Sequence, residues 1–189
     1  MLRSALFAIL VLAGGALSAA ENPARVQLHR VPDAGIQPQA VVDARGDLHL
    51  VYFKGEAKAG DLFYVRQTAG RDEFSKPLRV NSLDASAIAV GTIRGAQLAV
   101  APDGRAHVVW NGTKAVAGSP HTGAPMWHAR LNDAGTAFEP QRDVMQFTGS
   151  LDGGGAVAVA GGLNVFVFWH GETPDNKRGE EGRGVFMAR

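Results

Sequence analysis

The chain has 189 residues, with 19 Lys and Arg against 18 Asp and Glu, 24 glycines and no cysteine. Near-neutral charge gives no electrostatic reason to expect nucleic acid or an anionic membrane as a partner, and without cysteine there is no disulfide framework, thiolate metal site or thiol nucleophile. Glycine at about 13%, against a usual ~7%, together with 46% hydrophobic residues, points to many short strands and tight turns around a real core.

Residues 1–20 read as a secretory signal peptide: Arg3 is the positive n-region, 6–12 the apolar run, and Ser18, Ala19 and Ala20 the small residues at the cleavage point. The apolar stretch 5–20 is shorter than the ~20 residues a spanning helix needs. No transmembrane span is therefore expected once the signal is removed, and the expected location is secreted or periplasmic.

Residues 21–38 lead into three copies of one pattern. The first, 39–95, holds a strand at 40–43, a turn at Gly46, strands at 48–55 and 62–66, and a fourth near 78–80. The second, 96–150, repeats this at 97–101, 106–110 and 126–130, with a Pro102-Asp103-Gly104 turn. The third, 151–189, has strands at 156–160, 165–169 and 185–189 and ends at its third strand. The aromatics Tyr52, Trp110 and Trp169 are 58 and 59 residues apart, and the closing arginines Arg66, Arg130 and Arg189 are 64 and 59 apart. Short segments rich in Val, Leu and aromatics, bounded by Gly, Asp or Pro, are strands. Nothing after residue 20 carries a sustained helical period.

A four-stranded antiparallel unit cannot bury both of its faces alone, and radial stacking of copies solves that. The fold expected is all-β: a partial β-propeller of three four-stranded antiparallel blades. Closed propellers have about four to eight blades, so the chain is expected to be the N-terminal part of a longer protein, about half of a six-bladed ring. An immunoglobulin-like sandwich would leave the repeat unexplained.

The rhythm of strand, Asp-x-Gly turn, His-Val-Val-Trp, loop and a strand ending in Ala-Arg resembles the Asp-box propellers of the sialidase superfamily. The second copy carries the fairest box, in which Asp133, Gly135 and Phe138 match and Leu131 replaces the hydroxyl residue. In the first copy only Phe74 and a displaced Gly70 remain. In this box the Asp ties a turn and the aromatic packs between sheets. His29-Arg30-Val31-Pro32 resembles the family's Phe/Tyr-Arg-Ile/Leu-Pro motif, and the resemblance implies that Arg30 clamps a sialic acid carboxylate through its planar fork. It also implies an acid/base Asp in a first-blade loop, for which Asp61 is the best-placed residue and Glu56 stands behind it. The family's nucleophile is a tyrosine in later blades that this chain lacks, so the segment alone is not expected to turn over substrate.

An antiparallel meander puts the 2–3 loops and blade-to-blade connections at one end, and the 1–2 and 3–4 turns at the other. The first end is longer and more polar, and binding residues concentrate on such loops. The candidate substrate-binding residues are therefore Arg30, Gln37, Lys54, Arg94, Asn111, His121, Asp152, His170 and Arg183, with Asp61 the candidate acid/base that the resemblance implies. The expected partner is a glycan or glycoconjugate; no cofactor and no metal are expected, since His121 and His128 lack a carboxylate at ligand spacing. His49, His107, Trp110 and Trp169 are read as packing residues at repeated positions. Arg45-Gly46-Asp47 is read as turn chemistry, Asn111-Gly112-Thr113 as a sequon that matters only in a eukaryotic secretory route, and 153–155 as lacking dinucleotide-binding spacing. Two functions stay open: an exported exo-sialidase-like hydrolase in full-length form, and a non-catalytic carbohydrate- or protein-binding propeller module. A purely structural envelope repeat is a third possibility.

Overall fold

The structure, a computed structural model, describes residues 26–91, 95–113, 117, 123–146, 151–161, 164–172 and 182–189. The signal segment 1–20, Arg94, His121 and the side chain of Asp152 lie outside the described residues.

The chain folds as three antiparallel sheets in sequence order, with only a short 3-10 turn at Pro32–Ala34 before them. The first sheet is β1 (Ile36–Val42), β2 (Leu48–Glu56), β3 (Ala59–Gln67) and β4 (Leu78–Arg79). The second is β5 (Ala96–Val100), β6 (Ala106–Asn111), β7 (Met126–Arg130) and β8 (Arg142–Asp143). The third is β9 (Leu151–Ala160), β10 (Asn164–Glu172) and β11 (Arg183–Ala188). Each sheet is a simple meander in which neighbours in sequence are neighbours in space.

The repeat is visible in the register. An aromatic pair faces across the second and third strands of every sheet: Tyr52 with Phe63, Trp110 with Trp127, and Trp169 with Phe186. The first and last pairs stack alike, with centroids 6.0 and 6.2 Å apart and planes 24° from parallel. Turns repeat too: Gly46 and Gly104 sit at φ +83° and +86° between the first two strands, where a left-handed residue is needed. In the first of these turns Asp43 accepts the amides of Arg45 and Asp47.

Alternation along the strands sends opposite faces to opposite neighbours. Val51, Phe53, Leu62 and Tyr64 of the first sheet pack on Val108, Trp110, Trp127 and Ala129 of the second. The other face of the second sheet, with Val109 and Met126, packs on Val167 and Trp169 of the third. β5 lies against β1 and β2, and β9 against β5 and β6, so successive first strands are neighbours. Val31, Phe63 and Phe74 partly cover the remaining face of the first sheet over Leu50, Tyr52 and Val65.

One expected loop is not a loop. β2 and β3 continue through residues 54–61, pairing Lys54 with Asp61, Gly55 with Gly60 and Glu56 with Ala59. Glycine permits it: Gly55 turns at φ +106°, and a Cβ at Gly60 would collide with the Phe53 ring. The Asp-box turn also differs from expectation. Asn132, not Asp133, ties it, its Oδ1 accepting the Thr136 amide at 2.9 Å, while Asp133 reaches out to Arg105. Phe138 does pack between sheets, edge-on to Tyr64 with centroids 5.5 Å apart.

Candidate functional site

At the end carrying the β2–β3 turn, most of the polar residues singled out from sequence are engaged with the protein itself. Asp61 Oδ1 accepts from Arg79 and the Asn81 side chain at 2.7 Å, and from the Ala85 amide at 2.8 Å. Burial alone would raise its pKa, but Asn81, the Ala85 amide and Arg79 together outweigh it and hold the carboxyl below its ordinary range. A proton donor working near neutrality needs the opposite shift. Lys54 pairs with Asp61 in register but turns to Asp33, 3.8 Å away, and lies over the Phe63 ring. Asp33 also accepts the Tyr52 hydroxyl at 3.1 Å; burial and this acceptor push the phenol pKa up. Arg30 lies exposed in the coil ahead of the 3-10 turn.

Along the first strands the same end brings several of these residues together. Gln37 holds a left-handed φ of +50°, rare for a non-glycine residue. Its amide donates to Ala89 O at 3.4 Å, and Gly95 packs against it. Gln37 Oε1 and Trp110 Nε1 are buried and have no hydrogen-bond partner among the described residues. Asn111 is sealed at 2% exposure and donates to Gly153 O at 2.5 Å, linking the second sheet to the third. His170 is exposed on β10 beside Gly153, and Arg183 reaches Glu172 at 3.5 Å across β10 and β11. No group of three or more His, Asp or Glu among the described residues could hold a metal, and no described helix is long and apolar enough to cross a membrane.

The clefts between sheets, toward the turn end, hold His49 and His107, expected from sequence as packing residues, together with arginines not among the candidate site residues. His49 Nδ1 lies 2.7 Å from the Tyr64 hydroxyl and its Nε2 3.3 Å from Asp43 Oδ2, forming a buried chain across three strands. Burial lowers the His49 pKa despite Asp43, and pushes Tyr64 up to about 12. At the same positions in the second sheet, His107 Nδ1 meets His128 Nε2 at 3.2 Å with the rings stacked. Burial takes His107 down to about 4, assisted by Arg105 and Arg130; burial likewise takes His128 to about 4, assisted by His107, Arg142 and Arg130. Between the first two sheets a cavity of about 230 Å³ is lined by Arg45, Arg66, Arg105, Asp103 and Asp133 over Leu131. Another of about 320 Å³ opens between the second and third sheets at Arg105, His107, Arg130 and Val165. In sequence these arginines are visible as closing each copy and standing at equivalent turns, but not as meeting in one cleft.

No protein-family model and no curated protein matches the sequence. Among solved structures, a polysaccharide lyase of the PL25 ulvan lyase family bound to -[GlcA(1-4)Rha3S]- overlays with TM-score 0.42 at 12% identity, over 75% of this chain and 33% of the lyase. The chain thus spans about a third of that enzyme's length. A fucose lectin from Kordia zhangzhouensis in complex with methyl-fucoside overlays at 0.43 and 10% identity, over 80% of this chain and 91% of the lectin. A protein of unknown function from Dyadobacter fermentans overlays at 0.44 and 13% identity, over 81% and 50%. Likenesses this distant say nothing of ligand or activity.

Proposed function

We propose that the three sheets are blades 39–95, 96–150 and 151–189 of a sialidase-like β-propeller, exported after loss of residues 1–20, that binds a glycan at its loop end without hydrolysing it. The observation that carries this is the contact of β1 with β5 and of β5 with β9. Sheets that touch through successive first strands fan from a common edge, and their loop ends then converge on one surface. On that surface Arg30, Lys54 and His170 are the contacts offered to sugar hydroxyls or a carboxylate. Gln37, Asn111 and Arg183 hold its shape. A binding module fits better than a hydrolase because Asp61 is committed to the 81–85 segment and held ionised.

The test is calorimetric titration with methyl glycosides, including a sialoside, alongside a fluorogenic sialoside assay. The reading expects saturable binding, weakened by Arg30→Ala and Lys54→Gln, and no fluorophore release. Release abolished by Asp61→Asn would make the protein a hydrolase. Absence of binding to every glycoside would overturn the reading altogether.

A further inference from the structure

We infer that the cleft between the first two sheets, at the turn end, is a binding site for an oxyanion, a carboxylate or sulfate group. It does not rest on the loop-end reading, since it lies at the opposite end of the sheets. Three guanidiniums from two sheets line it: Arg45 from the β1–β2 turn, Arg66 from β3 and Arg105 from the β5–β6 turn. Asp103 and Asp133 are the acidic lining residues described, with Asp43 behind Arg45 and Asp47 near Arg66. The two lining carboxylates serve Arg105, at 3.7 Å from Asp103 and in a direct hydrogen bond to Asp133. Arg45 spends Nε and Nη2 on Asp43 and lies across Gly104, where a Cβ would collide with it.

Arg66 is the residue left with donors to offer. Its ion pair with Asp47 is 4.0 Å long, well outside the ~2.7–2.9 Å of a charge-assisted hydrogen bond. The second copy shows why this is unusual. Its equivalent, Arg130, is neutralised by Glu139 at 2.9 Å. Backbone bonds put Glu139 and Ser75 in the same place, Glu139 N donating to Arg130 O and Ser75 N to Arg66 O. Where one copy supplies a carboxylate at hydrogen-bond distance, the other has a hydroxyl, and Arg66 keeps Asp47 at 4.0 Å with its donors turned to the cleft. Planar guanidinium donors in a half-enclosed site match the oxygens of a carboxylate or sulfate. At about 230 Å³ the space is below the ~300–1,000 Å³ of pockets for larger ligands, and suits a single anionic group or one sugar ring bearing it.

The experiment titrates the protein at low ionic strength with sodium sulfate, galacturonate and galactose, on wild type and three variants. Sulfate or galacturonate should bind at least about tenfold more tightly than galactose, a difference of one good charge-assisted contact. Ser75→Glu, which installs the second copy's carboxylate, and Arg66→Gln should each weaken anion binding at least about tenfold without shifting the melting temperature by more than a surface change does. Lys58→Gln, an exposed charge on the β2–β3 turn at the other end, should leave it unchanged. Binding of sulfate alone identifies a free-anion site, and binding of galacturonate as well identifies one that accepts the group on a sugar. Equal affinity for galactose and galacturonate, no anion binding, or indifference to both Ser75→Glu and Arg66→Gln would overturn the inference. Loss on Lys58→Gln alone would do so too and would assign the binding to the loop end.

Discussion

The interface between the first and second sheets and that between the second and third use the same strand positions for different chemistry. In the first, His49 and Tyr64 form a polar chain ended by Asp43 and covered by the edge of Phe138. In the second, His107 and His128 stack on each other among Arg105, Arg130 and Arg142. The first pair is anchored by a carboxylate; at the second Arg105, Arg130 and Arg142 outweigh Glu139 and Asp103. A repeat therefore fixes where a polar pair sits between sheets; burial lowers the histidines at both, opposed by Asp43 at the first and assisted by Arg105, Arg130 and Arg142 at the second. The apolar cluster is also far larger at the first interface, where it joins both aromatic and aliphatic residues of two four-stranded sheets.

The largest effect should come from the cores. Trp110→Ala, at a side chain 1% exposed, should cost about 3–5 kcal/mol in urea unfolding, and Trp169→Ala, in the smaller cluster, clearly less. Equal losses would erase the contrast between the two interfaces.

Acid is the sharper probe. In the folded state His107 and His128 stay neutral down to about pH 4, whereas in the unfolded chain each takes a proton near 6.5. Their contribution is thus complete above about pH 6.5 and is lost as pH falls toward 4. Each unit of separation is worth about 1.4 kcal/mol, so two units for each of two histidines cost the wild type at most about 5 kcal/mol by pH 4.5, less what solvent screening removes at His107. His128→Phe should roughly halve the slope of stability against pH between 6.5 and 4.5; an unchanged slope would mean the pair is not buried as described. Below about pH 4, Asp61 and Glu139, both held low by their donors, add a further loss of the same sign.

Tyr64→Phe leaves the buried Nδ1 of His49 without its donor and should cost about 1–2 kcal/mol. Smallest is Asn132→Ala, which removes the acceptor for the Thr136 amide at an exposed turn; about 1 kcal/mol is expected, against no measurable change for Asp133→Ala in the same assay.

Strand positions were legible because period and punctuation coincide: Tyr52, Trp110 and Trp169 recur at one register, and Gly46 and Gly104 mark the turns between them. The Phe138 contact between sheets was legible for the same reason. The 54–61 segment was not, because Lys54, Glu56, Lys58 and Asp61 look like a polar loop, while the pairing depends on how closely Gly60 approaches Phe53. Asp61 read as a free loop carboxylate since its donors, Arg79, Asn81 and the Ala85 amide, are 18 to 24 residues away. The arginine cleft stayed hidden because Arg45, Arg66 and Arg105 are far apart in sequence and come together only when the two sheets pack.

The contact of successive first strands is tested most directly by a crosslink in this cysteine-free chain. A Cβ at Gly95 would lie 3.4 Å from that of Gln37, close to the ~3.5–4.5 Å a disulfide spans. Gln37→Cys with Gly95→Cys should therefore oxidise to an intramolecular bond that mass spectrometry finds closed to alkylation. Two thiols that remain freely alkylated in the folded, oxidised protein would contradict the contact between the first strands of adjacent sheets.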